Sequence, residues 1–250
     1  MGGWYQQASG ELFRGFAISP DDVVVDVGCG LGGNSLFCAN QGAYVIFTDP
    51  DADKVHALQS RMENSSARGW DGHVSDSSPL PIADNTATRV ILSEVLEHVE
   101  HPAKLMAEVV RIAQPGALFF LSVPDAEGER LQKKVAPDAH FKAPNHIHIF
   151  ERIQFTELVQ NAGLTILHHE LYGFYWSIWM TLYWATASTS GENAKEATHE
   201  NLEPPFHPLL EDWSKVWQHV IRLPEGNQIR QALDQILPKN QIIIARKQLI

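Results

Sequence analysis

Cysteine is scarce in this chain: among 250 residues only Cys29 and Cys38 carry a thiol. Two thiols in one short stretch give no disulfide framework, so a reducing compartment is expected, namely the cytoplasm. Cationic charge is short as well. There are 19 Lys and Arg against 30 Asp and Glu, a net charge of −11 with histidine neutral. That balance argues against a long-range electrostatic pull on nucleic acid or anionic lipid. The stretch "MGGWYQQASGELFRG" has no basic segment followed by an apolar run, so a secretory signal is not expected. Gln6 and Gln7 stand where a myristoylation signal would need a small hydroxyl residue. No internal repeat is present.

What is there suits a globular protein. Hydrophobic residues make up 44% and charged residues 20%, enough for a proper core. The length suggests one large α/β domain over 1–250. Residues 22–27, "DVVVDV", read as a buried strand, "GCGLGG" as a tight loop and "NSLFCANQG" as a helix. "AYVIFTD", "DGHVSD", "TRVILS" and "ALFFLSVP" read as further strands. Between them lie a helix from Pro50 and another from Pro102 to Gly116, with Pro102 at its first position. Such alternation predicts a doubly wound, mostly parallel sheet with helices on both faces. Residues 125–150 read as polar and irregular. "ERIQFTELVQNAG" is a predicted helix, "LTILHHEL" a strand, 188–206 an exposed linker, 207–223 an amphipathic helix and "KNQIIIARK" a closing strand. The late return of that strand marks 171–238 as a helical insertion that shapes an acceptor site. Residues 20–170 with 239–247 are then the cofactor-binding core.

The stretch "VVVDVGCGLGG" is the most informative. Gly28, Gly30 and Gly32 permit a sharp turn and close approach of a ligand. The following helix points its N-terminus at that ligand. Asp49 ends the second strand, where a carboxylate can accept hydrogen bonds from ribose hydroxyls. Gly28, Gly30 and Gly33 also satisfy the spacing of a dinucleotide-binding loop, so a nicotinamide or flavin cofactor is an alternative.

"VVVDVGCGLGG" resembles the first motif of the class I S-adenosylmethionine-dependent methyltransferases. "VSDSSPLPIADNTATRVILSEVLEHV" is similar to the family stretch around the fourth strand, although Ala87 and Thr88 replace the Phe–Asp often found there. The resemblance implies a Rossmann-like, seven-stranded sheet with an antiparallel last strand, and S-adenosylmethionine as cofactor. It implies that Asp26, Gly28, Cys29, Gly30 and Gly32 line the methionine end. Asp49 and Pro50 would then lie at the ribose, Asp76 and Ser77 at the adenine, and Ser93 behind the sulfonium.

"SEVLEHVEHP", Ser93 to Pro102, packs Glu94, Glu97, Glu100, His98 and His101 directly after an apolar run. If 94–100 is helical, Glu94, Glu97 and His98 share a face. With His148 from "NHIHIF" they make a candidate Mg²⁺ or Mn²⁺ site of carboxylates and imidazoles. In a strand His146 and His148 would face the same side. The pattern E-x-x-E-H resembles two metal-using branches, the ubiquinone-biosynthesis O-methyltransferases and the small-RNA ribose 2′-O-methyltransferases. A cation there would acidify an acceptor hydroxyl. Two other readings stand beside it: His98, His146 or His148 as a metal-free base, or a structural role for the whole stretch. His101 precedes a proline and leaves the shared face. His168 and His169 read as structural.

Residues 171–191 carry no charge. Tyr172, Tyr175, Trp176, Trp179 and Tyr183 recur at helical spacing. A lid or core helix is expected, with a lipid-facing helix or a membrane span as alternatives. Trp4 and Tyr5 are candidates to join that lid. The whole predicts a cytoplasmic methyltransferase acting on a small aromatic or hydroxylated molecule, most simply at oxygen. Alternatives are a ribose methyltransferase on RNA, an N- or C-methyltransferase, and a non-catalytic adenosylmethionine-binding subunit.

Overall fold

The computed structural model describes residues 4–77, 79–189 and 204–249. Two compact units emerge. One comprises Met1–Ser122, Ile153–His169 and Ile242–Ile250; the other comprises Val123–Arg152 and Glu170–Gln241.

The first unit is built on the sheet. Its strands are β4 (Val23–Val27), β5 (Tyr44–Asp49), β6 (Gly69–Val74), β7 (Ala87–Ser93), β8 (Ala113–Pro124), β9 (Leu164–Tyr172) and β10 (Asn240–Lys247). They lie in the order β6-β5-β4-β7-β8-β10-β9. β6 through β8 pair in parallel, and the sheet closes with antiparallel last strands. Val24, Val25, Val27, Val90, Ile91 and Leu92 are fully buried, as central parallel strands covered on both faces require. The strand order reverses between β4 and β7. Open α/β sheets bind ligands at the carboxyl ends of strands beside such a reversal.

The helices start where the sequence has capping groups. Asp51 accepts the N–H groups of Asp53 and Lys54 and opens α2 (Ala52–Met62). Pro102 opens α3 (Pro102–Ile112), which buries Leu105, Met106, Val109 and Ile112 on one face. This helix stops short of the expected Pro–Gly end, and Ala113 already belongs to β8. Pro115 disfavours a helical Gln114, and Gly116 takes a positive φ of 82°. α1 spans Gly33–Asn40 and α5 spans Arg152–Asn161.

An N-terminal meander, β1 (Trp4–Gln6), β2 (Glu11–Phe13) and β3 (Phe16–Ala17), adds a small sheet that the sequence did not predict. Trp4 packs between Phe13 and Phe120, at ring separations of 5.4 and 5.2 Å. Tyr5 packs on Phe37 at 5.4 Å, and its hydroxyl donates to Asn34 Oδ1 at 2.9 Å. Both aromatics are therefore anchored within the first unit.

The second unit is helical: α4 (Ala126–Gln132), a short 3₁₀ turn at Asp138–Phe141, α6 (Phe174–Thr189), α7 (Pro208–Ile221) and α8 (Gly226–Ile236). Two of these, α4 and α8, were not expected. Asp125 caps α4 and holds the Arg152 guanidinium at 2.9 Å. Trp179, Met180, Trp184 and Leu210 form its apolar core. Tyr175 stacks on Trp213, and Trp179 on Tyr183. Tyr172 ends β9 and so does not share the helical face expected for it. Asp234 accepts the N–H groups of Gly173 and Phe174 at the start of α6 while pairing with Arg230 at 2.8 Å. No helix among the described residues is long and apolar enough to cross a membrane. Residues 190–203 of the expected linker lie outside the described residues.

Candidate functional site

The loop after β4 is fixed from below. The N–H groups of Gly28 and Cys29 both donate to Thr48 O, at 2.8 and 2.9 Å. Gly28 and Gly32 have φ of 70° and 76°, where side chains are strained. A Cβ on Gly28 would meet Val95 Cγ2 at 2.5 Å, and one on Gly32 would meet Leu58 Cδ1 at 2.3 Å. The loop thus needs glycine for its turn and for packing alike. It delivers the chain to α1, whose N-terminus carries no side-chain cap. Orphan N–H groups remain there for a ligand.

Asp49 is buried at the end of β5. Its Oδ2 accepts Gly30 N–H at 2.9 Å and its Oδ1 accepts Asp51 N–H at 3.0 Å. Each carboxylate oxygen has a further lone pair. Two neighbouring hydroxyls, as on a ribose, match that pair of acceptors, so the donor set expected of an adenosine cofactor fits. Pro50 follows in an exposed position. Asp76 and Ser77 follow β6; Asp76 is exposed, and Ser77 takes φ of 68° with its N–H on Ser75 Oγ.

Asp26 sits fully inside, bonded by the Ser35 hydroxyl at 2.6 Å. Burial pushes its carboxyl up to about 6, against the Ser35 hydrogen bonds, with the charge of Asp49 adding to the rise. The Cys29 thiol is also pushed up, first by burial and then by Asp26 and Asp49, so it is no thiolate nucleophile.

Residues 94–100 form a turn instead of a helix. Glu94 has a positive φ of 57°, and its Oε1 accepts the Ser122 hydroxyl at 3.0 Å. Ser122 Oγ is also 2.9 Å from Ser93 Oγ. Because the Ser122 proton goes to Glu94, Ser93 donates to Ser122, and the three form a chain at the ends of β7 and β8. Glu97 is fully buried, with Oε1 3.9 Å from His98 Nε2, and His98 is half-buried. Glu94 and His148 belong to no cluster of three or more metal-ligating groups among the described residues. His101 is exposed at the head of α3, and His168 and His169 are exposed on β9.

Residues 146–149 are not a strand, and the two histidines have different partners. His148 lies against Phe150 at 5.8 Å. His146 Nδ1 is 2.8 Å from Glu129 Oε2, on α4. Burial raises the Glu129 carboxyl, but the His146 hydrogen bond and the charges of Lys239 and the two histidines outweigh it and hold it below its usual value. Sequence reasoning missed Glu129. Its one local signal is Asp125 opening the stretch as an N-cap, and an interrupting Gly128 hides the helix.

The model of the family described as "Methyltransferase domain" matches residues 6–169. The chain belongs to that methyltransferase family. Among its relatives is a "Probable tocopherol O-methyltransferase, chloroplastic" of Oryza sativa subsp. japonica, 30% identical over 55% of this chain and 39% of that one. Norajmaline N-methyltransferase of Rauvolfia serpentina is 25% identical over 78% of this chain and 61% of that one. The chain spans about half the length of the relatives it matches. In fold it is similar to an S-adenosylmethionine-dependent methyltransferase of Methanosarcina mazei, with a TM-score of 0.58, 16% identity and coverage of 93% and 95%. Membership implies S-adenosylmethionine as the cofactor, and the doubly wound, mostly parallel sheet agrees with it.

Proposed function

We propose that this protein transfers a methyl group from S-adenosylmethionine to an oxygen of a small aromatic or hydroxylated molecule. The observation that carries the reading is the Asp49 carboxylate, held by Gly30 and Asp51 with one acceptor site left on each oxygen in a chain of the methyltransferase family. The cofactor supplies an electrophilic methyl on a sulfonium. In this reading Asp49 takes the ribose hydroxyls and Asp76 with Ser77 the adenine. Asp26 and the Gly28–Gly32 loop hold the methionine end, and Ser93 stands behind the sulfonium.

The choice of oxygen rests on a base. A neutral amine attacks a methyl sulfonium without losing a proton first, whereas a hydroxyl needs one removed. His98, with the buried Glu97 carboxylate 3.9 Å from its Nε2, supports that role. A carboxylate behind an imidazole favours the protonated ring formed as the hydroxyl is deprotonated. Relatives named for O- and for N-methylation leave the chemistry to this pair. The same carboxylate and imidazole suit Mg²⁺ or Mn²⁺, so metal assistance is the second reading. The second unit, with its aromatic core and the charge-free run of α6, is proposed to bind the acceptor. The net charge of −11 speaks against RNA as that acceptor.

Titration calorimetry with S-adenosylhomocysteine tests the cofactor reading, and labelled-methyl transfer to phenols, catechols and amines tests the acceptor class. Binding together with label on a hydroxyl supports the proposal. Absence of homocysteine-nucleoside binding overturns it, and label only on amines overturns the oxygen assignment. Activity undiminished by EDTA removes the metal reading.

A further inference from the structure

Glu129, His140 and His146 bring a carboxylate and two imidazoles together in the second unit, with their ligand atoms all within 4.8 Å of one another. Glu129 and His140 are buried and His146 nearly so. A buried carboxylate and two imidazoles at one point is the donor set of a zinc site that keeps a coordination position open. The distances support it. Ligand atoms about 2.1 Å from a zinc ion and about 90–110° apart stand about 3.0–3.4 Å from each other. Glu129 Oε2 and His146 Nδ1 are 2.8 Å apart, so two ligands already have nearly that spacing. The His140 and His146 rings lie 4.4 Å apart between centroids. Closing the trio on an ion asks for side-chain adjustment within the 4.8 Å limit.

A second observation points to a ligand. Glu129 Oε1 is buried and accepts no hydrogen bond; Lys239 Nζ is 4.0 Å away. In the same unit, Gln132 Nε2, Ser177 Oγ and Trp184 Nε1 are also buried without a hydrogen-bond partner. Each such atom is destabilising if it stays unmet. Gln132 is one turn along α4 from Glu129, the Trp184 ring is 5.5 Å from that of His140, and Ser177 lies beside Gly128. All three groups can donate, and Lys239 adds a positive charge. Donors of that kind suit an anionic oxygen on a metal.

We propose that Glu129, His140 and His146 bind one Zn²⁺, with an exchangeable oxygen ligand in the remaining position. Two nitrogen donors and one oxygen favour zinc over magnesium, which prefers oxygen donors. The proposal stands whether or not the methyltransferase reading does.

The test is zinc content and affinity of the full chain without a histidine tag, measured by elemental analysis and by competition with a chromogenic chelator. Visible absorption after Co²⁺ loading is the second readout. One equivalent of Zn²⁺ is expected, with intense Co²⁺ bands of a four- or five-coordinate ion. Removing a ligand should weaken zinc by more than the about 10–100-fold typical of an outer-shell partner, in Glu129→Gln and in His140→Gln alike. Far-ultraviolet circular dichroism and a cooperative urea transition in both variants check that the chain is folded. His98→Gln should keep its zinc equivalent. No zinc bound at ten-fold excess, taken as about the least that saturates a micromolar site, overturns the proposal. So does unchanged zinc affinity in both folded variants, or loss of zinc in His98→Gln alone.

Discussion

The carboxylate of Asp49 reaches back to the loop after the preceding strand and accepts the N–H of Gly30 at 2.9 Å. One side chain therefore both shapes the glycine loop and presents its remaining lone pairs outward. Asp49→Ala removes both functions, while Asp49→Asn keeps one acceptor oxygen. A hydrogen bond to a charged group is worth about 1.5–3 kcal/mol. Calorimetry should show S-adenosylhomocysteine affinity lower by about ten- to a hundred-fold in Asp49→Ala, with Asp49→Asn between it and the parent. Equal affinity in all three would remove Asp49 from the ribose site.

Gly32 and Gly163 have similar positive φ, 76° and 84°, yet different surroundings. A Cβ on Gly32 meets Leu58 at 2.3 Å; a Cβ on Gly163 meets nothing within 4 Å. Gly163→Ala should cost only the left-handed strain, about 1–2 kcal/mol. Gly32→Ala adds overpacking, a further cost of about 1–3 kcal/mol. Urea unfolding midpoints of the two variants should separate in that order. A Gly32→Ala protein as stable as Gly163→Ala would mean that Leu58 yields freely.

The most readable part of the fold was the run from β4 to β5. There a strand of four valines around Asp26, a glycine loop and a short helix stopping before Gly42 follow one another, and each signal is local. Residues with distant reasons were hidden. Gly128 makes α4 look like a loop, but it is needed because a Cβ would stand 2.8 Å from Pro238 O. Glu94 looked like one corner of a helical face with Glu97 and His98. Its positive φ and its bond to Ser122 come from the neighbouring strand, which no spacing in "SEVLEHVEHP" encodes. The N-terminal meander has strands of two or three residues, too short for a periodic pattern.

Asp26 gives the fold a defined pH dependence. Its carboxyl is raised from 3.8 to about 6 by burial, so the folded state holds a proton more tightly than the unfolded state. Its contribution is fully present below pH 3.8 and is lost as pH rises towards 6. Two pK units correspond to about 3 kcal/mol. Asp26→Asn keeps a polar group beside Ser35 but no longer titrates. Between pH 4 and 6 (the window from those two values), unfolding free energies of the parent should fall relative to Asp26→Asn. Parallel profiles would show that the site relaxes around the charge.

His98 is the proposed base, and Glu97 the group that supports it. His98→Gln keeps a polar side chain but cannot accept the proton as an imidazole does. Loss of a positioned base costs about 10²–10⁴-fold in rate. That loss should fall on kcat, with the KM for S-adenosylmethionine unchanged, because His98 is assigned no cofactor contact. Glu97→Gln acts through His98. Without the carboxylate 3.9 Å from Nε2, the imidazolium formed as the hydroxyl loses its proton is stabilised less, so kcat should fall by less than in His98→Gln while the KM for S-adenosylmethionine stays put. Unaltered kcat and KM in Glu97→Gln would mean that the 3.9 Å pair is structural, and unaltered kcat in His98→Gln that the proton leaves by another route.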